Sequence, residues 1–292
     1  MREPKRNMGA SVRDRLLNIA RELQQPFDLL LTRYVHERLL YRLSKTQHRD
    51  RFVLKGAMLI TTWFDDPLRP TRDLDLLGFG DPDPQAMIRI FREVCAVKED
   101  DGVEFVVAAL EIDRIREELE YGGLRIKTTA TIGGAKIRVA IDIGFGDAVE
   151  PDAAEVELPV LLDLPPPSLR AYARETVIAE KFQALVMLGR ANSRMKDLYD
   201  IWVLSRSYKF TGDGLARAIA ATFARRKTEI PSMLPNALTL AFAEDAAKIQ
   251  QWNSFVTEVA QSPGSLAQVI DDLAQFLMPH AAAARTLDRS ER

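Results

Sequence analysis

The spacing of apolar and polar positions divides the chain into a mixed α/β part and a helical part. Over residues 11–24 and 27–43, apolar residues recur every three or four positions, which predicts two amphipathic helices separated by Pro26. Ser11 is placed to cap the first. Residues 52–64 read as a short apolar lead-in, a turn at Gly56 and a helix. Residues 73–79 alternate as a strand does, and residues 84–97 read as a helix with Pro84 in its first turn. Strand-like segments follow at 103–112, 124–132 and 136–143, with Gly133-Gly134 as a hairpin signal between the last two. After the stiff connector Pro165-Pro166-Pro167, helical spacing dominates at 174–188, 195–205, 214–226, around 238–259 and at 266–277. The tail 281–292 is expected to fray. The pattern predicts an α+β fold with a mostly antiparallel or mixed sheet, then a helical C-terminal half. The expected domains are 1–164, with the N-terminal helices, and 165–292.

Composition narrows the chemistry. The chain has 292 residues, 47% hydrophobic and 28% charged, which is enough to bury a core without staples. With 40 basic and 42 acidic side chains the net charge is −2, which argues against histone-like binding and leaves room for a local basic patch. Between residues 33 and 51, Arg33, Arg38, Arg42, Lys45, Arg49 and Arg51 face only Glu37 and Asp50. That stretch reads either as a solvated helix face or as a phosphate-contacting surface. Arg225-Arg226-Lys227 is a second candidate for RNA contact. Cys95 is the only cysteine, so no intramolecular disulfide or cysteine zinc cluster can form. His36, His48 and His280 have no spacing that suggests a zinc site or a Ser-His-Asp arrangement. No apolar run is long enough for a membrane span, and no cleavable leader is evident, so a cytosolic protein without a membrane partner is expected. Carboxylates become the leading catalytic candidates.

Asp73 and Asp75 lie two apart on a predicted strand, so both emerge on one face while Leu74 and Leu76 point to the other. Adjacent like charges call for a neutralising cation, and oxygen ligands without histidine or thiolate suit Mg²⁺ or Mn²⁺. On the segment 136–143, Ile137, Val139, Ile141 and Ile143 form an apolar face and Asp142 lies opposite. If the two strands are neighbours, three carboxylates converge, as in phosphoryl-transfer sites. In the helical half, Lys181 shares a stripe with Val177, Leu185 and Leu188, either snorkelling to solvent or offering a cation to phosphate. Asp197 and Asp200 sit beside Ile201 and Leu204 and need partners there, for which Lys181, Arg190, Arg194 and Lys196 are available.

The segments Phe52-Val-Leu-Lys-Gly-Ala57, Arg69-Pro-Thr-Arg-Asp-Leu-Asp75, Asp142-Ile-Gly-Phe-Gly-Asp147, Ala179-Glu-Lys-Phe-Gln-Ala184 and Arg194-Met-Lys-Asp-Leu-Tyr-Asp200 occur in this order. Over roughly residues 11–205 the chain thereby resembles the AbiEii/AbiGii (MenT-like) nucleotidyltransferase toxins. The resemblance implies a DNA polymerase beta-like nucleotidyltransferase fold, with the helical domain completing the active site. It implies transfer of a nucleotide from an NTP with Mg²⁺ (or Mn²⁺) and release of pyrophosphate. For some members the acceptor is the tRNA 3′ end, which blocks translation, and a cognate antitoxin is expected as partner. Carried over by position, Asp73 and Asp75 are the metal pair, Asp142 the third carboxylate and Lys181 the lysine facing the triphosphate. Asp197 is the later acid, with Asp200 the competing match. Gly56 is the glycine turn near the phosphates. The family turn is usually Gly-Gly or Gly-Ser, and here it is Gly56-Ala57, which shifts triphosphate contact to the backbone, Lys55 or Arg72. Two other readings of the same fold are a non-catalytic NTP- or RNA-binding regulator and nucleotide transfer to a protein hydroxyl.

Overall fold

The computed structural model describes residues 7–64, 69–115 and 122–290. The chain divides into two compact units. The first comprises Met1–Asp65, Pro70–Gly146 and Glu155–Ala171, and the second Asp66–Arg69, Asp147–Ala154 and Tyr172–Arg292. The stretch around the three prolines therefore packs with the first unit, and the long helical run begins at Tyr172.

The first unit contains α1 (Met8–Glu22), α2 (Phe27–Ser44), β1 (Phe52–Lys55), α3 (Gly56–Ile60), β2 (Asp73–Gly78), α4 (Pro84–Ala96), β3 (Val103–Phe105), β4 (Glu111–Ile115), β5 (Gly123–Ile132), β6 (Ala135–Phe145), β7 (Ala154–Glu157) and β8 (Ser168–Ala171). One sheet runs in the order β3-β5-β6-β2-β1-β8-β7, with β4 also on β5. It is mixed: β2 runs parallel to β6 and β1 parallel to β8, while β1/β2 and β5/β6 are antiparallel. Strand alternation gives the sheet two unlike faces. Leu74, Leu76, Ile126, Ile141 and Ile143 form a fully buried apolar layer. Their neighbours Asp73, Asp75, Arg125, Ala140 and Asp142 lie on the other face and stay partly accessible.

Several local expectations needed correction. Helix α1 begins at Met8, with Asn7 rather than Ser11 capping it through Ala10 N (3.1 Å). The single strand expected over 103–112 is broken by a 3-10 turn at Val107–Ala109. Both halves pair with β5 at separate stretches, Phe105 opposite Ala130 and Glu111 opposite Lys127, so the chain must detour between them. Strand β8 follows directly on the prolines, because their extended backbone leads into a parallel partner for β1 at Leu54.

The second unit holds α5 (Arg174–Leu188), α6 (Met195–Ser207), α7 (Gly214–Arg225), α8 (Leu240–Ala243), α9 (Ala246–Val256) and α10 (Leu266–Ser290). The segment expected near 238–259 is two helices, because Asp245 ends one and caps the next through Ala247 N (2.9 Å) and Lys248 N (3.2 Å). The expected fraying from residue 281 does not occur. Helix α10 carries Pro279 inside it and continues, with Ala281 and Ala284 fully buried. An interior proline costs about 3 kcal/mol, and burial of that continued apolar face offsets it. Among the described residues, no helix is long and apolar enough to cross a membrane.

Candidate active site

Asp73 and Asp75 stand on β2 with Leu74 between them wholly buried, so their carboxylates share the accessible face. Register brings Asp142 beside them: Asp75 is the Cα partner of Asp142, and Asp73 of Ala140. The neighbour relation on which the three-acid reading depended therefore holds. The side chains are nevertheless arranged differently from a converging triad. Arg125, on β5 opposite Asp142, donates from Nε and Nη2 to its two carboxylate oxygens, both at 2.6 Å. Asp142 is thereby held in a bidentate ion pair, and the hydrogen bond from Arg125, with the charges of Asp142, Asp73 and Asp75, raises the guanidinium pKa. Among the described residues no group of three or more His, Cys, Asp or Glu side chains is gathered into a metal site. The donor chemistry of Asp73 and Asp75 still fits a hard divalent cation, since two carboxylates project from one face of one strand. Arg125 occupies one acceptor site on each Asp142 oxygen and so competes with a cation for that carboxylate.

Sequence reasoning missed Arg125, although the signal was present. The β5–β6 hairpin turns through Gly133 (φ 51°) and Gly134 (φ 85°), so Ile132 faces Ala135. Counting outward from that turn puts Arg125 opposite Asp142.

The Gly56 turn lies on the same face. Lys55 ends β1 as the Cα partner of Asp75, and antiparallel register places the two side chains together. Gly56 follows with φ 71°, and an added Cβ there would sit 2.6 Å from Asp75 Cγ. Arg72 is exposed and pairs with Asp28 on the first turn of α2 (2.9 Å).

The remaining candidates cluster within the second unit. Lys181 Nζ on α5 lies 2.8 Å from Asp197 Oδ1 and 2.8 Å from Asp200 Oδ2, both on α6. Its side chain is 11% exposed, so it does not snorkel to solvent. Arg69 grips Asp200 through Nε (2.6 Å) and Nη2 (2.7 Å), and Arg194 reaches Asp197 Oδ2 (2.6 Å). Burial alone would push the Asp200 carboxyl up, but Arg69 and Lys181 outweigh it and hold it well below the carboxylate range. Burial likewise draws the Lys181 ammonium down, and Asp197 with Asp200 more than restores it, so the lysine stays charged. Asp197 and Asp200 are thus joined through one lysine. Arg69 belonged to a quoted motif but had been given no role; nothing in local spacing links it to Asp200, 131 positions away.

Several arginines of the two basic stretches are engaged within the fold, while Lys45, Arg225 and Lys227 lie exposed. Arg38 and Arg42 are 1% exposed. Arg38 donates to Pro165 O (2.8 Å), and Arg42 forms a two-pronged pair with Asp101 (2.6 and 3.0 Å). Arg33 pairs with Glu37 (3.2 Å) and Arg49 with Glu155. In the second unit, Arg226 is drawn to Asp147 (2.9 Å) and Glu180 (3.3 Å). Desolvated guanidinium groups need internal acceptors, and these have found them.

Comparison with known proteins defines the class as nucleotidyltransferase, with an NTP as substrate. Residues 38–277 match the family described as the nucleotidyl transferase AbiEii toxin of type IV toxin–antitoxin systems. That is well over half of the chain, which belongs to this family; membership implies a cognate antitoxin. No curated protein matches. Among solved structures, a nucleotidyltransferase candidate from Helicobacter pylori aligns at 15% identity and a TM-score of 0.49, covering 90% of this chain and 97% of its own. JHP933 from Helicobacter pylori aligns at 14% identity and a TM-score of 0.48, covering 87% and 94%.

Proposed function

We propose that the chain transfers a nucleotidyl group from an NTP to the 3′ end of an RNA, with tRNA the leading acceptor, and so arrests translation in the cytoplasm. The observation carrying this reading is the pair Asp73/Asp75 on the accessible face of β2, with Asp142 in register on the parallel strand β6. In the reaction, the acceptor oxygen attacks the α-phosphorus, the bond to the bridging oxygen breaks, and pyrophosphate leaves with that electron pair. Asp73 and Asp75 would hold Mg²⁺ or Mn²⁺, which when bound neutralises developing phosphate charge and acidifies the attacking hydroxyl. The acceptor proton passes to a carboxylate on this face or to solvent. Lys55, beside Asp75, supplies positive charge for the polyphosphate, and Gly56 lets Asp75 sit against the backbone.

For Lys181, Asp197 and Asp200 the family roles, facing the triphosphate and supplying a later acid, stay part of the proposal. Substitutions there show whether the helical unit takes part in transfer. The test is incubation of the chain with Mg²⁺, each labelled NTP and total tRNA. Label on the RNA supports the reading. Label on protein redirects it to protein modification, and no label from a folded chain opposes it.

A further inference from the structure

The Arg125–Asp142 pair differs from the buried Arg42–Asp101 pair of the same unit. Arg42 and Asp101 lock together with side chains 2% and 3% exposed, as core pairs do. Arg125 and Asp142 make equally short contacts, yet their side chains are 38% and 21% exposed, on the face that carries Asp73 and Asp75. A guanidinium is always charged, so it cannot leave Asp142 by losing a proton, and another anion that reaches this exposed face can compete for it. Its fork fits phosphate oxygens as well as carboxylate oxygens.

We propose that Arg125 is a nucleotide-positioning residue that exchanges Asp142 for the NTP polyphosphate, so that Asp142 becomes available to the cation only when nucleotide is present. The inference rests on the function proposed above. Before nucleotide arrives, Arg125 competes with the cation for Asp142 and lowers the charge of the face. After exchange, the same side chain binds the substrate. Arg125 is reached by solvent and has Asp142 as its bidentate partner, so a rotation of its side chain can carry the fork from one anion to another.

The two halves of the proposal predict effects of opposite sign. In Arg125→Gln, Mn²⁺ affinity without nucleotide, read by electron paramagnetic resonance, should rise about fivefold, the factor of a part-exposed ion pair. The KM for the preferred NTP should rise about tenfold, with kcat changed less, because the lost contact is a charge-assisted one to substrate. Arg125→Lys, which keeps the charge and loses the fork, should fall between. A merely structural arginine would weaken both or neither. Unchanged or weaker Mn²⁺ binding in Arg125→Gln, or an unchanged KM, overturns the inference. Asp73→Asn is measured alongside. If it abolishes Mn²⁺ binding while Arg125→Gln is neutral, only the role of Arg125 falls; if it leaves Mn²⁺ binding intact, the metal reading itself falls. Should Arg125→Gln not fold, as judged by circular dichroism, Arg125→Lys carries the same comparison.

Discussion

Asp75 fills the space that a side chain at position 56 would need: a Cβ on Gly56 would lie 2.6 Å from Asp75 Cγ, closer than real atoms pack. The backbone there has φ 71°, a second reason for glycine. Gly56→Ala should therefore displace the carboxylate as well as strain the turn. The expected cost is about 1–3 kcal/mol of stability from the backbone conformation. The expected loss of nucleotide transfer is larger than that fraction of unfolded protein explains. Urea denaturation and transfer rate measured on the same preparation separate the two effects. A stable variant with unaltered activity would show that Asp75 can move without consequence.

Lys181 is the keystone of a buried charge cluster, with Asp197 and Asp200 each 2.8 Å from its ammonium. Lys181→Met leaves two carboxylates buried with one fewer cation, and breaking such a pair costs about 3–5 kcal/mol. The unfolding midpoint in urea should drop accordingly. Asp200→Asn should also destabilise, because the two-pronged ionic contact from Arg69 and the contact from Lys181 are both weakened. Equal midpoints for wild type and Lys181→Met would remove the structural role. Transfer activity corrected for folded fraction then reports any role in catalysis.

His36 is wholly buried in α2, and neither ring nitrogen has a hydrogen-bond partner. Burial lowers its pKa from 6.5 to about 4. Between those values the unfolded chain binds the proton and the folded chain does not, so stability from this residue is complete above pH 6.5 and is lost as pH falls toward 4. Neighbouring Glu37 acts with opposite sign: burial raises its pKa to about 7, against the pull of Arg33, so its contribution is lost as pH rises through 7. The two slopes oppose each other in the overlap, and a variant is needed to isolate one. His36→Leu should gain about 2 kcal/mol on wild type between pH 7.5 and pH 5, from one proton's linkage over that interval. A pH-independent difference would mean that His36 titrates normally.

Arg42 is expected to act on folding and not on RNA. Its guanidinium is spent on Asp101 and on the carbonyls of Val97 and Val103. Arg42→Ala should lower the melting temperature sharply, at a cost of about 3–5 kcal/mol. The folded remainder should bind RNA with unchanged affinity and salt dependence. A stable variant with weaker, less salt-sensitive RNA binding would return this stretch to the nucleic-acid interface.

The basic stretch shows where sequence reading stopped. Its helix was legible from spacing, but α2 is buried almost all round, from Leu30 to Leu43. The acceptors Pro165 and Asp101 lie more than fifty positions along the chain, so for Arg38 and Arg42 neither a solvated face nor a phosphate surface was the right reading. By contrast, Asp73, Asp75 and Asp142 were legible because strand alternation alone decides their face, and the observed β2–β6 pairing supplied the missing adjacency. Strand β8 was hidden because its four residues lie between the distant strand β1 and the short strand β7, whose pairing local spacing does not reveal.

The central claim is that the β2 acids perform nucleotide transfer. Its most direct measurement is incorporation of labelled NTP into tRNA by wild type, Asp73→Asn, Asp75→Asn and the surface control Asp113→Asn, each confirmed as folded. The account predicts label on RNA with wild type and with Asp113→Asn, and a loss of about a hundredfold to a thousandfold with either β2 variant, the scale of removing a principal electrostatic group from a transfer site. Transfer that persists in folded Asp73→Asn and Asp75→Asn would contradict it.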